Sequence, residues 1–449
     1  MQNIYIYWHL FMYRTIQTQL INWKDKPSRL PLIIRGARQV GKTYMMKWFG
    51  ENHFSNYIYL NFDEHPELNE FFEKNKDIKR IINSLSLISG KQIDENTLLI
   101  FDEIQECPEA LNSLKYFAES NLNIPVISAG SLLGILLQSG HSFPVGKVEF
   151  LSMYPMSFSE VLPNWDENAA NYLNQINSIE ELPAYFFNTL VDNFKKYLIT
   201  GGLPAVVKEF NQSNNFNNCD EILENLLLAY KGDFSKHPIM KDIAKITLVF
   251  DSMPTQLARE NKKFVYQLVR QGARAKDYED AIQWLIGSGL AYKVKQITKP
   301  AIPLSAYDDL SAFKLYAMDV GLIRRMSRLS PLAYSEGNRL FTEFKGAITE
   351  NYILQSIISQ FEDIPRYWTS GNLAEIDFIV QHNNNIIPIE VKSDENVKSR
   401  SLTMYHQKHQ PALRIRYSLK NLHYREGLLN IPLFLSDYTK KFIDLIANS

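Results

Sequence analysis

The sequence predicts an α/β protein of several domains: a doubly wound parallel sheet, then a helical middle, then a second α/β domain. Three observations carry this expectation. The chain has 449 residues, and at roughly 150 residues per domain that suggests two to four domains. From Leu30 to about Pro163, short apolar runs alternate with helix-like stretches, the pattern of strands interleaved with helices. Helical periodicity dominates from about Ala169 to Ile297, and strands return in a different order beyond Glu343. The expected divisions are an N-terminal helical segment over residues 1–29, the first α/β domain over 30–165, a helical region over 166–335 and the last domain over 336–449.

Each element follows from local pattern. Leu32–Ile34, Tyr57–Asn61, Leu98–Phe101 and Pro125–Ser128 read as buried parallel strands, rich in branched or aromatic side chains and bounded by turn signals. Tyr44–Phe49, Asp220–Tyr230 and Tyr278–Leu285 read as helices, and the Asn-rich stretch Asn211–Asn218 as a solvated loop. Gly287-Ser-Gly289 ends the third helix, and a short alternating strand pair is expected around Leu290–Ile297. In the last domain the expected order is helix Glu343–Gln360, strands Arg366–Thr369, Ala374–Gln381 and Ile386–Lys392, helix Val397–Lys408, and strand Ala412–Ser418.

Composition excludes several classes. Hydrophobic residues are 45% and charged residues 22% of the chain, which is the make-up of a globular protein and not of a disordered one. Lys plus Arg is 48 and Asp plus Glu is 49, a net charge of −1, so affinity for nucleic acid must come from local patches. Two cysteines, Cys107 and Cys219, cannot build a disulfide framework. No stretch approaches the ~20 apolar residues that span a bilayer, and Ile4–Tyr13 lacks a basic start and a cleavage site. A cytoplasmic protein is expected. Met12 stands just before the polar run at Arg14, so the true start, Met1 or Met12, stays open.

The sharpest motif is Gly36-Ala37-Arg38-Gln39-Val40-Gly41-Lys42-Thr43, which matches G-x-x-x-x-G-K-[ST] between a strand and a helix. Its glycines allow a tight turn whose N–H groups face phosphate oxygens, at the positive end of the following helix. Lys42 would reach the β- and γ-phosphates of ATP, and Thr43 would hold Mg²⁺. Leu98-Leu-Ile-Phe-Asp-Glu103 supplies the second half. Asp102 would bind Mg²⁺ and Glu103 would polarise the attacking water. The next strand ends in Ser128-Ala-Gly-Ser131, where Ser128 or Ser131 would sense the γ-phosphate. Arg38 and Lys147 are both candidates for the cation that neutralises developing charge, and a cation from a neighbouring subunit stays open.

The run Arg35–Thr43, the acidic pair in Leu98–Gln105, Ser128–Ser131, Pro155-Met-Ser-Phe-Ser-Glu160 and Gly201-Gly-Leu-Pro204 together resemble an uncharacterised prokaryotic family of AAA+ ATPases, related to the STAND-type signalling NTPases. Lys147 and Ala205 depart from it: relatives commonly have Arg at the first position and an acid at the second. The resemblance implies ATP binding by a P-loop NTPase domain. It also suggests a winged-helix module around Asp277–Leu290, with Arg270, Arg274 and Lys276 just before it. Winged helices bind DNA or pack as lids, and both stay open.

A second constellation lies near the C-terminal end. A turn at His382–Asn385 pairs Gln381 with Ile386, so paired positions sum to 767, as do Asp377 and Glu390. These two carboxylates therefore stand opposite each other, with Lys392 on the same face. Helix, hairpin and strand in this order resemble the PD-(D/E)xK nuclease superfamily, with its restriction-endonuclease-like core. That resemblance implies Glu350, Asp377 and Glu390 as metal ligands and Lys392 as the catalytic lysine of Mg²⁺-assisted phosphodiester hydrolysis. Two other readings stay open: a hairpin whose face is charged by chance, and a fold kept for binding without the chemistry. From Lys392 to Arg425, eight Lys/Arg stand against two acids, with Tyr405, Tyr417 and Tyr424 interleaved, which suits DNA phosphates and bases. His406 and His409 lie three residues apart, on an expected solvated helix face. An ATP-driven, Mg²⁺-dependent ATPase with a nuclease-like domain that engages DNA is the main expectation. The rival is a nucleotide switch whose C-terminal domain only binds a partner. A homo-oligomer stays open.

Overall fold

In the computed structural model of the chain, the described residues are 12–131, 135, 144–236, 240–259, 262–331, 342–371, 373–393 and 400–448. The apolar opening Ile4–Phe11, His237, and Asp394–Ser399 with Lys398 lie outside them, as does the expected division at 335. The chain divides into two compact units, Met1–Tyr154 with Trp284–Leu290, and Pro155–Gln283 with Ala291–Ser449. Among the described residues no helix is long and apolar enough to cross a membrane.

The first unit is built on five strands, β1 (Leu32–Arg35), β2 (Asn56–Asn61), β3 (Thr97–Asp102), β4 (Val126–Ala129) and β5 (Glu149–Ser152), in the order β2-β3-β4-β1-β5. All neighbours run parallel. Parallel sheets are covered on both faces, which is why β3 and β4 are buried at every position and why continuous apolar runs predicted them. The pattern did not reveal β5. It is an edge strand whose residues alternate between half-buried and exposed, so Glu149-Phe-Leu-Ser152 shows no apolar run. Phe62, Phe72, Phe101 and Phe117 pack edge to face on one side of the sheet. Buried Arg14 donates to Val40 O at 2.9 Å and to Tyr154 O at 2.6 Å, bracing the loop after β1.

The second unit begins with helices. Ser157 and Glu160 form a reciprocal capping box at the start of Phe158–Trp165, which gives the Pro155–Glu160 segment a structural role. The loop expected at Asn211–Asn218 shrinks to two residues. Asn214, in the left-handed region at φ 49°, closes Pro204–Ser213, and the Asn215 side chain caps Phe216–Asp233. Asn tolerates both roles, so a polar run that reads as loop is a helix–helix corner.

The strands β6 (Ala291–Ile297), β7 (Asp308–Ala317), β8 (Arg366–Thr369), β9 (Glu375–His382), β10 (Asn385–Val391), β11 (Arg414–Ser418), β12 (His423–Arg425) and β13 (Leu428–Pro432) make one mixed sheet in the order β12-β13-β11-β10-β9-β8-β6-β7. Where a strand pair is expected around Leu290–Ile297 there is one strand, β6, and its partners are β7 and β8. Gln381 pairs with Ile386, as the sum of 767 requires. The turn is shorter than expected: Asn385 pairs with His382, leaving Asn383 and Asn384, with Asn383 at φ 52°. Asparagine's ease in that region closes the hairpin in two residues without changing register. Pattern reading also missed β7, β12, β13 and the helix Thr439–Ala447.

Candidate nucleotide site and C-terminal charge cluster

The loop between β1 and the helix Lys42–His53 turns on glycine. Gly36 has φ 148° and Gly41 φ 98°, values that L side chains rarely adopt. A Cβ on Gly36 would lie 2.1 Å from Met153 O. Lys42 is buried and folds back, its Nζ 2.9 Å from Gly36 O and 2.8 Å from Ala37 O. Burial pushes its ammonium down to about 8, against the opposing pull of Glu103 and Asp102. Gln39 stands at φ 67° within the loop. Gly289 approaches the loop closely, so that an added Cβ would be 3.0 Å from Ala37 N.

The acidic strand tip meets this loop directly. Thr43 Oγ1 donates to Asp102 Oδ2 at 2.6 Å, and Tyr59 OH donates to the same oxygen at 2.9 Å. The Asp102 carboxyl is raised above its usual value by burial, with the Thr43 and Tyr59 hydrogen bonds pulling the other way. Glu103 follows at φ 48°, a strained backbone for a non-glycine residue. Gln105 Nε2 donates to Glu103 Oε2 at 2.6 Å, and Ser131 Oγ to the same oxygen at 3.3 Å. Ser128 Oγ donates to Leu32 O at 3.2 Å, so its hydroxyl ties β4 to β1. Lys147 pairs with Glu119 at 3.1 Å. Thus Lys42, Thr43, Asp102, Glu103 and Ser131 are linked through hydrogen bonds or charge. Tyr59 and Gln105 join them without any motif to announce them. A hydroxyl, a carboxylate and a buried ammonium at a glycine loop are a donor set suited to Mg²⁺ and a triphosphate.

The carboxylates of the second unit each have other partners. Glu350 is buried and pairs with Lys262; its second oxygen accepts from Tyr316 OH at 3.1 Å and lies 4.0 Å from the Lys314 ammonium. Lys314, whose side chain is 0% exposed, pairs with Glu375. Burial opposes its charge, yet Glu350, Glu375 and Asp377 outweigh burial and hold it protonated above the usual range. Asp377 Oδ2 accepts the Val391 N–H at 2.8 Å. Burial, then the Glu350 charge, raises the Asp377 carboxyl. Glu390 is buried, with one oxygen 3.0 Å from Lys392 Nζ and the other lacking a hydrogen-bond partner. Glu350 and Glu390, two of the three carboxylates expected as one metal set, thus have lysine partners, and Asp377 has a backbone one. Among the described residues no group of three or more His, Cys, Asp or Glu side chains is arranged to hold a metal. Lys262, Lys314 and Glu375 were invisible to motif reading. The one available signal was a lysine inside the apolar run Ala312-Phe-Lys-Leu-Tyr316. His409 is packed against Trp368 and Tyr405, so its ring belongs to an aromatic cluster.

A groove of about 510 Å³ in the second unit is lined by Glu181, Phe187, Arg416, Lys420, Asn421 and His423, among others. Arg416 stands opposite Glu390 in the parallel register and donates to Asn430 Oδ1 at 2.9 Å.

Residues 28–162 match the model of an AAA domain family. Residues 191–333 and 345–434 match two domains of unknown function, DUF8612 and DUF4143. No curated protein matches the chain. Among solved structures, a Walker-type ATPase of Pyrococcus abyssi is 13% identical over 71% of this chain and 96% of its own, at a TM-score of 0.44. The Drosophila ORC bound to DNA is 12% identical over 70% and 93%, at 0.27. Cdc6p from Pyrobaculum aerophilum is 11% identical over 74% and 97%, at 0.24. Residues 28–162 are thus similar to the AAA domains and carry a P-loop fold, and the two segments after them are similar to domains of unknown function.

Proposed function

We propose that the first unit binds ATP with Mg²⁺ and hydrolyses it, and that the second unit engages DNA through its basic groove. The observation that carries the ATPase reading is the 2.6 Å contact between Thr43 Oγ1 and Asp102 Oδ2. It joins the glycine loop to the acidic strand tip, as a shared metal–triphosphate site requires. In this reading Lys42 leaves the Gly36 and Ala37 carbonyls for the β- and γ-phosphate oxygens, a stronger charge-assisted partner. Gly36–Gly41 cradle the phosphates, Glu103 takes the proton of the attacking water, and Ser131, hydrogen-bonded to Glu103, reports the γ-phosphate. Bound Mg²⁺ would neutralise charge on the phosphate oxygens. Arg416, Lys420 and His423 in the groove suit a phosphate backbone.

Lys42→Ala is expected to reduce ATP hydrolysis by at least 100-fold, measured as phosphate release, and Thr43→Ala to weaken its Mg²⁺ dependence. Hydrolysis unaffected by Lys42→Ala would remove the reading. A rate stimulated by DNA and lost in Arg416→Ala/Lys420→Ala would support the groove.

One specific observation favours a second reading, a nucleotide switch without phosphodiester cleavage. Two of the three carboxylates expected to hold a cleaving metal, Glu350 and Glu390, already face lysines. Plasmid DNA left uncut by the intact protein with Mg²⁺ or Mn²⁺ would decide for it.

A further inference from the structure

We propose that the ammonium groups of Lys262 and Lys314 take the place of the divalent metal expected at Glu350, Asp377 and Glu390, so that the second unit holds a lysine-neutralised site and does not cut nucleic acid. This deepens the switch reading and rests on it.

A hard divalent cation needs several oxygen ligands that converge and are free to turn toward it. Glu350 meets neither condition. One of its oxygens is paired with Lys262, and the other accepts from Tyr316 OH and faces Lys314. Asp377 spends an oxygen on the Val391 N–H, and Glu390 spends one on Lys392. The Glu390 oxygen that stays unpartnered is a single donor, too few for such an ion.

Lys314 is also unable to step aside. It lies on β7 with Phe313 and Leu315 as chain neighbours, its side chain is wholly buried, and its ammonium sits 4.9 Å from the centre of the Tyr367 ring. An ammonium displaced from Glu350 and Glu375 would be stranded in apolar surroundings, which strongly disfavours a charge. A dication placed beside it would meet like charge at short range. Lys262 and Lys314 face Glu350 and Glu375, and Lys392 faces Glu390, so two of the three expected ligands already have a cation. A lysine is rarely tolerated inside an apolar strand unless acids pair with it. Its presence there is explained by the acids and by nothing else in the run.

The test uses the full chain without nucleotide, carrying Asp102→Asn so that the phosphate loop contributes no metal site. Its thermal unfolding is followed with and without Mn²⁺, and free Mn²⁺ is read by electron paramagnetic resonance. The expected result is no Mn²⁺ uptake and no shift in Tm. Adding Lys262→Met and Lys314→Met together, which removes both ammonium groups, should lower Tm by several degrees and create a Mn²⁺-dependent recovery that Asp377→Asn removes. The proposal is overturned if the starting protein takes up Mn²⁺ in a manner that Asp377→Asn abolishes. It is also overturned if the Lys262→Met/Lys314→Met protein folds and ignores Mn²⁺, since the lysines would then hold no place a metal can fill. Because no nucleotide is present, the outcome is independent of whether the first unit hydrolyses ATP.

Discussion

Lys42 shows how burial and function meet in one side chain. Its ammonium rests on two loop carbonyls and is pushed down to about 8 by desolvation. A triphosphate would favour the charged form and raise that value again. The sign follows directly. Below pH 8 the lysine is already protonated, and ATP binding takes up no proton through it. Above pH 8 the free protein has lost that proton, so binding must recover one and affinity falls as pH rises. Calorimetry at pH 9 in buffers of different ionisation heat should show proton uptake near one per ATP, absent in Lys42→Ala. Equal heats in all buffers would count against the assignment. The motif alone placed Lys42, Thr43, Asp102 and Glu103. Tyr59 and Gln105 complete their hydrogen bonds without a motif; adjacency in the parallel sheet brings Tyr59 there, and the turn after Glu103 brings Gln105.

At the scale of elements, Gly201-Gly-Leu-Pro204 gains a physical reason. Gly201 ends Ala184–Thr200 at φ 71°, and Pro204 starts the next helix. A Cβ on Gly202 would lie 1.9 Å from Met156 O. Buried Asp319 accepts from Gly202 N at 2.7 Å, from Leu322 N at 3.0 Å and from Gln355 Nε2 at 3.3 Å. The motif is thus a corner of backbone pinned by one carboxylate. Asp319→Ala would leave buried N–H groups without acceptors, costing about 3 kcal/mol, read as a fall in the urea midpoint at unchanged slope. A loss under about 0.5 kcal/mol, the size of an ordinary surface substitution, would show that the corner is held by other contacts. The hairpin makes a complementary point. Its register was legible because alternation and turn position both constrain it, whereas the turn length was not, since four polar residues read alike whether two or four of them leave the ladder.

For the molecule as a whole, the eight-stranded sheet contradicts the intuition that chain order marks out folding units. β6 and β7 precede residue 335, yet β6 pairs with β8 beyond it. A cut at 335 would strip β8 from β6 and leave unpaired backbone N–H and C=O groups along a strand edge. The fragment 336–449 is therefore expected to be insoluble or to aggregate, judged by gel filtration. The fragment 155–449 retains every strand of the sheet and should fare better. A monomeric, folded 336–449 fragment would refute this expectation.

Local sequence was enough for the parallel core and the glycine loop, because buried strands must be continuously apolar and a phosphate cradle needs glycine at stated positions. Edge strand β5, the corner at Asn214–Asn215 and the crossing of β6 into the later sheet escaped it, since exposure and long-range pairing leave no local period. The fate of Glu350, Asp377 and Glu390 was a matter for tertiary structure alone. Two lysines distant in the chain, Lys262 and Lys314, reach Glu350 only after folding, and an acid's partner cannot be read until the chain has brought it near.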